Sequence, residues 1–146
     1  MDHKEVEILL IEDNRDEAEL TIRALKKSKL ANRLLHIDDG VEALDFIFGE
    51  GKYQDRQDEF RPKLILLDLK LPKVDGLDIL RRIKSDDRTK KFPVVVLTSS
   101  KEESDVVESY RLGANSYIVK PVNFESFTSA VTELGMYWLV LNQNTE

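Results

Sequence analysis

Apolar and polar positions alternate in blocks along this chain, and the blocks come in two kinds. Short, nearly continuous apolar runs occur at Glu7–Ile11, Leu34–Ile37, Leu64–Leu67, Val94–Leu97 and Ser116–Val119. Such runs predict strands buried on both faces of a sheet. Between them lie longer stretches with apolar residues three and four apart: Ala18, Ile22 and Leu25; Val41, Leu44, Ile47 and Phe48; Leu77, Leu80 and Ile83; Val106, Val107 and Tyr110. This is the spacing of helices with one apolar face. A last stripe, Phe124, Phe127, Val131, Leu134 and Trp138, predicts a C-terminal helix. Five strand–helix units in strict alternation imply an α/β fold, a five-stranded parallel sheet with helices on both faces. The stretch from Gly49 to Lys63 carries charges of both signs and is long for a connection in such a fold, so an elaborated loop or extended helix is expected there.

The sheet also predicts where chemistry collects. Ligands of open parallel sheets bind beyond the carboxyl ends of the strands, near the point where strand order reverses. The residues at those ends are Glu12 and Asp13, Asp68, Thr98 and Lys120. Three carboxylates in one place repel one another unless a cation joins them. Oxygen donors of this kind suit a hard divalent ion, and Mg²⁺ takes one or two carboxylates together with phosphate oxygens and waters. Lys120 adds a positive charge and Thr98 a hydroxyl donor. The set fits a group with three charged oxygens, with Asp68 as the carboxylate nucleophile for phosphoryl transfer. Singly, each residue has a plainer explanation. Glu12-Asp13-Asn14 could open a helix, Asp68 could end a strand in a turn, and Thr98 could cap a helix. Five strand-end residues of the right chemical type together favour the site. Lys120-Pro121 is also a candidate cis peptide. His3 and His36 lack metal-ligand spacing and receive no role.

Four motifs carry a resemblance: ILLIEDN at the first strand, LILLDLKLPKVDG at the third, VVVLTSS at the fourth and GANSYIVKP at the fifth. Together they resemble the receiver domain of two-component response regulators over nearly the whole chain. The resemblance implies a flavodoxin-like (βα)₅ three-layer sandwich, one receiver domain over 1–146 with βα units over 5–122 and an extended helix over 123–142. It implies Asp68 as phosphoryl acceptor, Thr98 and Lys120 as its partners, Tyr117 as an aromatic switch, and Mg²⁺ on Glu12, Asp13, Asp68 and the backbone carbonyl of Lys70. The phosphoryl donor is then a phosphohistidine on a sensor histidine kinase. Lys70 and Ser100, two positions past Asp68 and Thr98, line the path of the hydrolytic water in this family, so they bear on the lifetime of the phosphoryl group. The charged Gly49–Lys63 segment and the aromatic C-terminal helix look like stand-alone receivers that partner phytochrome-type kinases.

Composition narrows the remaining choices. The 146 residues suit one domain, and no apolar run is long enough to span a membrane. The N-terminus has no secretory pattern and cysteine is absent, which fits a cytoplasmic protein. A net charge of −6 without a basic cluster disfavours nucleic acid. With no output domain expected after the last helix, signal would leave through a downstream protein, a phosphorelay or self-association. Met136, Tyr137, Leu139, Val140 and Leu141 add apolar surface around that helix, so a homodimer through its face, the fourth helix and the fifth strand is expected. Three rival classes are weaker. A small-molecule aspartate phosphatase would place an acid where Lys70 stands, a purely binding pseudo-receiver would not need the full site, and a flavodoxin would not make its first loop acidic.

Overall fold

The computed structural model describes residues 6–27, 33–54 and 62–121, together with Glu125 and Ser129. In chain order the elements are β1 (Ile8–Ile11), α1 (Arg15–Lys27), β2 (Leu34–Ile37), α2 (Gly40–Phe48), β3 (Leu64–Leu67), α3 (Gly76–Ser85), β4 (Val94–Thr98), α4 (Glu103–Arg111) and β5 (Ser116–Val119). A short 3-10 turn at Gly51–Tyr53 follows α2. All four strand pairings are parallel, in the order β2-β1-β3-β4-β5. This is the expected flavodoxin-like arrangement, and strand order reverses between β1 and β3.

Alternation along the central strands divides the core. Leu9, Ile11, Ile65, Leu67, Val94 and Val96 face one side, where Ala43, Phe46 and Ile47 of α2 and Ile79, Leu80 and Ile83 of α3 cover them. Ile8, Leu10, Leu64, Leu66, Val95 and Leu97 face the other side, against Ala18 and Leu25 of α1. Because β1, β3 and β4 are buried throughout, their sequences show no polar alternation.

Helix boundaries follow local chemistry. Asp39 caps α2 by accepting from the amides of Val41 and Glu42, and Gly49 ends it with a left-handed φ of 65°. Asp75 caps α3 through the Leu77 amide. In α4 the residues that mark the helix in the sequence are not its buried side: Val107 and Tyr110 are exposed, and Ser109 is buried. Within the Gly49–Lys63 segment the 3-10 turn packs back on α2. Tyr53 meets Phe46 edge to face at 5.1 Å and donates to Glu42 at 2.8 Å. Residues 55–61 of that segment lie outside the described residues. So does nearly all of the expected 123–142 helix, including Phe124, Phe127, Leu134, Tyr137 and Trp138, and with it the greater part of the expected dimer face. Among the described residues, no helix is long and apolar enough to cross a membrane.

Candidate phosphoryl site

Strand register assembles the candidate residues. Pairing of Ile11 with Leu67 puts the next residues, Glu12 and Asp68, side by side at the carboxyl ends of β1 and β3. The Asp68 amide donates to Ile11 O at 3.0 Å and the Glu12 amide to Ile37 O at 3.2 Å, which fixes both backbones at the edge of the sheet. Pairing of Thr98 with Val119 brings Lys120 one step beyond the end of β4, its amide donating to Thr98 O at 2.8 Å.

Lys120 is the centre of the cluster. Its ammonium donates to Asp68 Oδ2 at 3.1 Å, to Glu17 Oε2 at 3.2 Å and to Glu12 Oε1. The Lys120, Glu12 and Asp68 side chains are 7%, 1% and 6% exposed, a degree of burial rare for charged groups without partners. Burial pushes the Glu12 carboxyl up to about 7; donation from Lys120 opposes this and the neighbouring Asp68 charge adds to it. Burial works against the Lys120 ammonium too, but the Glu12 and Asp68 carboxylates outweigh it and raise its pKa.

Loops on either side are held in place by backbone contacts. Lys70 donates its amide to Asp68 Oδ1 at 3.2 Å. Gly76 closes the same loop, its amide donating to Leu69 O at 3.0 Å. A Cβ at Gly76 would lie 2.5 Å from Asp68 O and from Leu69 Cα, so only glycine lets α3 start this close to Asp68. Thr98 is fully buried, and its hydroxyl oxygen accepts from the Ser100 amide at 3.4 Å. Tyr117 is half-buried against the core, with its hydroxyl donating to Ser100 O at 3.0 Å. The Lys120–Pro121 peptide is cis.

The structure therefore brings Glu12, Asp68 and Lys120 into direct contact and sets Thr98 and Lys70 beside them. Asp13 is exposed and stands outside the carboxylate group. That group consists of Glu12, Glu17 and Asp68, whose oxygens lie within 4.8 Å of one another. Sequence reasoning missed Glu17. A signal was present: Asn14 accepts from the Glu17 amide at 2.9 Å, so Asn14-x-x-Glu17 opens α1 as an N-cap followed by a third-position acid. Side chains in the first turn tilt back toward the helix start, which returns Glu17 to the end of β1. Asn14 caps α1 while Glu12 and Glu17 on either side of it join the carboxylate cluster, so one segment serves both arrangements. Buried hard oxygen donors in surplus over a single ammonium fit a divalent cation.

A response regulator receiver domain model matches residues 8–132. The chain belongs to that family. It is similar to the response regulator Rcp1 of Synechocystis, 40% identical over 132 residues that make up 90% of this chain and 88% of Rcp1. Among solved structures it resembles the bacteriophytochrome response regulator AtBRR at 50% identity and a TM-score of 0.79, covering 90% of this chain and 93% of that one. It also resembles the phosphorylated cyanobacterial phytochrome response regulator RcpA, at 41% identity and a TM-score of 0.74 over 91% and 93% of the two chains. Rcp1 has a solved Mn²⁺-bound form. As a receiver, this protein accepts a phosphoryl group in two-component signalling and uses a divalent metal to do so.

Proposed function

We propose that Asp68 is the residue that carries the phosphoryl group. The observation that supports this best is the Lys120 ammonium 3.1 Å from the nearly buried Asp68 carboxylate, at the strand-order reversal of the sheet. In the transfer an Asp68 oxygen bonds to phosphorus while the bond from phosphorus to the donor's imidazole nitrogen breaks, returning that electron pair to the ring. Lys120 and the Thr98 hydroxyl meet two of the phosphoryl oxygens. Glu12, Asp68 and the Lys70 carbonyl would hold Mg²⁺, with Asp13 joining them from the exposed rim of the cluster; when bound, the ion offsets the charge of the carboxylates and the phosphoryl group. The chain needs no catalysis beyond self-phosphotransfer and autodephosphorylation.

Incubation with acetyl phosphate and Mg²⁺, followed by intact mass measurement, tests this. One phosphoryl mass should appear on the wild type, and none on Asp68→Asn or in EDTA. Equal gain by Asp68→Asn would overturn the assignment.

Tyr117 would report the event. Drawing the Thr98 hydroxyl toward the phosphoryl group vacates space beside β5, and the Tyr117 ring turns into it, leaving its bond to Ser100 O. The donor is a cytoplasmic histidine kinase of phytochrome type, a reading supported by the similarity to AtBRR and RcpA. Output through a homodimer or a downstream protein fits the exposed Val107 and Tyr110 on α4, next to the Tyr117 strand.

A further inference from the structure

The lysine two positions beyond Asp68 has its backbone on the site and its charge elsewhere. Its amide is held by Asp68 Oδ1, while its ammonium lies 3.6 Å from Asp105 Oδ2 on α4. The same Asp105 oxygen accepts from Ser100 Oγ at 2.6 Å. Ser100 in turn donates its amide to Thr98 Oγ1 and accepts from Tyr117 through its carbonyl. One carboxylate thus ties the loop after β3 to the loop after β4. The two ends of the pair differ: the Lys70 side chain is 62% exposed and Asp105 only 16%. Asp105 is the fixed partner and Lys70 the one free to swing.

We infer that Asp105 is a positioning residue that holds the Lys70 ammonium away from the phosphoryl group and thereby sets how long Asp68 stays phosphorylated. The inference rests on Asp68 being the acceptor. A phosphoryl group there brings about two negative charges within reach of a flexible four-carbon stem whose backbone is already pinned. Asp105 offers one negative charge, so the two compete for the same ammonium. Hydrolysis forms a bond from a water oxygen to phosphorus and breaks the bond from phosphorus to the Asp68 oxygen. It leaves the Asp68 carboxylate, inorganic phosphate carrying one of the water protons, and a second proton in solvent. Lys70 drawn over the phosphoryl group covers the approach of that water; Lys70 kept on Asp105 leaves it open.

Asp105→Asn removes the charge but retains an acceptor for Ser100 Oγ. After loading with acetyl phosphate and removal of the donor, intact mass against time should show its phosphoryl lifetime lengthened about two- to fivefold, the range for releasing an exposed ion pair. The effect should shrink in high salt, and Asp105→Glu should return the lifetime toward wild type. In a Lys70→Met background, Asp105→Asn should change nothing. An unchanged or shortened lifetime in Asp105→Asn overturns the inference, and so does an equal change in the Lys70→Met background. A wild type that takes no phosphoryl on Asp68 overturns the function proposal as well, and this is seen before any lifetime is read.

Discussion

Lys120 and Lys84 sit at opposite ends of the same sheet, both largely withdrawn from water, and meet opposite chemistry. Lys120 leaves the carboxyl end of β5 and touches Glu12, Glu17 and Asp68. Lys84, in the last turn of α3, reaches the amino ends of β4 and β5. There its ammonium donates to Phe92 O at 2.7 Å, Lys90 O at 3.1 Å and Asn115 Oδ1 at 3.2 Å. Asn115 Oδ1 also accepts from the Val94 amide at 2.9 Å, so Lys84 braces the start of two strands. Every acceptor at this end is neutral, and burial lowers the Lys84 pKa without opposition. At the other end carboxylates reverse the same penalty and raise the Lys120 pKa. Burial of a lysine is therefore no mark of function. The mark is a surplus of negative charge that one ammonium cannot neutralise and that a metal and a phosphoryl chemistry can use.

The contrast breaks most visibly at Lys120. Lys120→Met leaves Glu12 and Asp68 side by side without their counter-charge. Breaking a buried pair in this way costs about 3 kcal/mol or more, so urea unfolding in EDTA should show a marked loss of stability. Phosphoryl uptake at Asp68 should fall to background even with Mg²⁺ present. A Lys120→Met protein that loads like the wild type would remove Lys120 from the mechanism.

Lys84→Met should have a smaller and different effect. It takes one donor away from the Phe92 and Lys90 carbonyls and from Asn115 Oδ1, at a cost of about 1–3 kcal/mol, and should leave loading of the folded protein at the wild-type level. Impaired loading of folded Lys84→Met would mean that the two ends of the sheet are coupled and that the division drawn between them is wrong.

The same division separates what was legible in the sequence from what was not. Strand positions were legible because β1, β3 and β4 are buried on both faces and must be apolar throughout. Leu34–Ile37, Leu64–Leu67 and Ser116–Val119 stand where the apolar runs put them, and β4 extends one residue further, to Thr98. Strand ends then located Glu12, Asp68, Thr98 and Lys120, since parallel register aligns them whatever the helices do. What depended on side chains leaving helices was not legible from hydrophobic periodicity. Glu17 enters the cluster through the cap of α1, and Asp105 reaches Lys70 from the first turn of α4; neither contact leaves a periodicity. The exposure of Val107 and Tyr110 was hidden for a related reason. Apolar spacing on a short helix identifies the helix but not the face that is buried. Lys84 looked like an ordinary polar position on α3, because its acceptors come from segments six to thirty-one residues away.

The smallest effect to be expected is in the titration of the two ammonium groups, and it tests the electrostatic half of the comparison directly. An ordinary lysine titrates at 10.5. Lys84 is lowered by burial, so the folded protein binds its proton less tightly than the unfolded chain does. Its contribution to stability is complete above 10.5 and is lost as pH falls through the folded value. Lys120 is raised, because Glu12 and Asp68 outweigh its burial. Its contribution is complete below 10.5 and is lost as pH rises through the folded value. Carbon-13 labelling at lysine Cε, with Lys84→Arg and Lys120→Arg for assignment, would follow both resonances in metal-free protein. Lys84 should reach its midpoint below 10.5 and Lys120 above it. In chemical unfolding from pH 9 upward, the stability difference between wild type and Lys120→Met should shrink as the Lys120 proton is lost. If the two midpoints coincide or their order reverses, the carboxylates around Lys120 do not hold its proton in the way their distances imply. The surplus of negative charge assigned to that end of the sheet would then have to be revised.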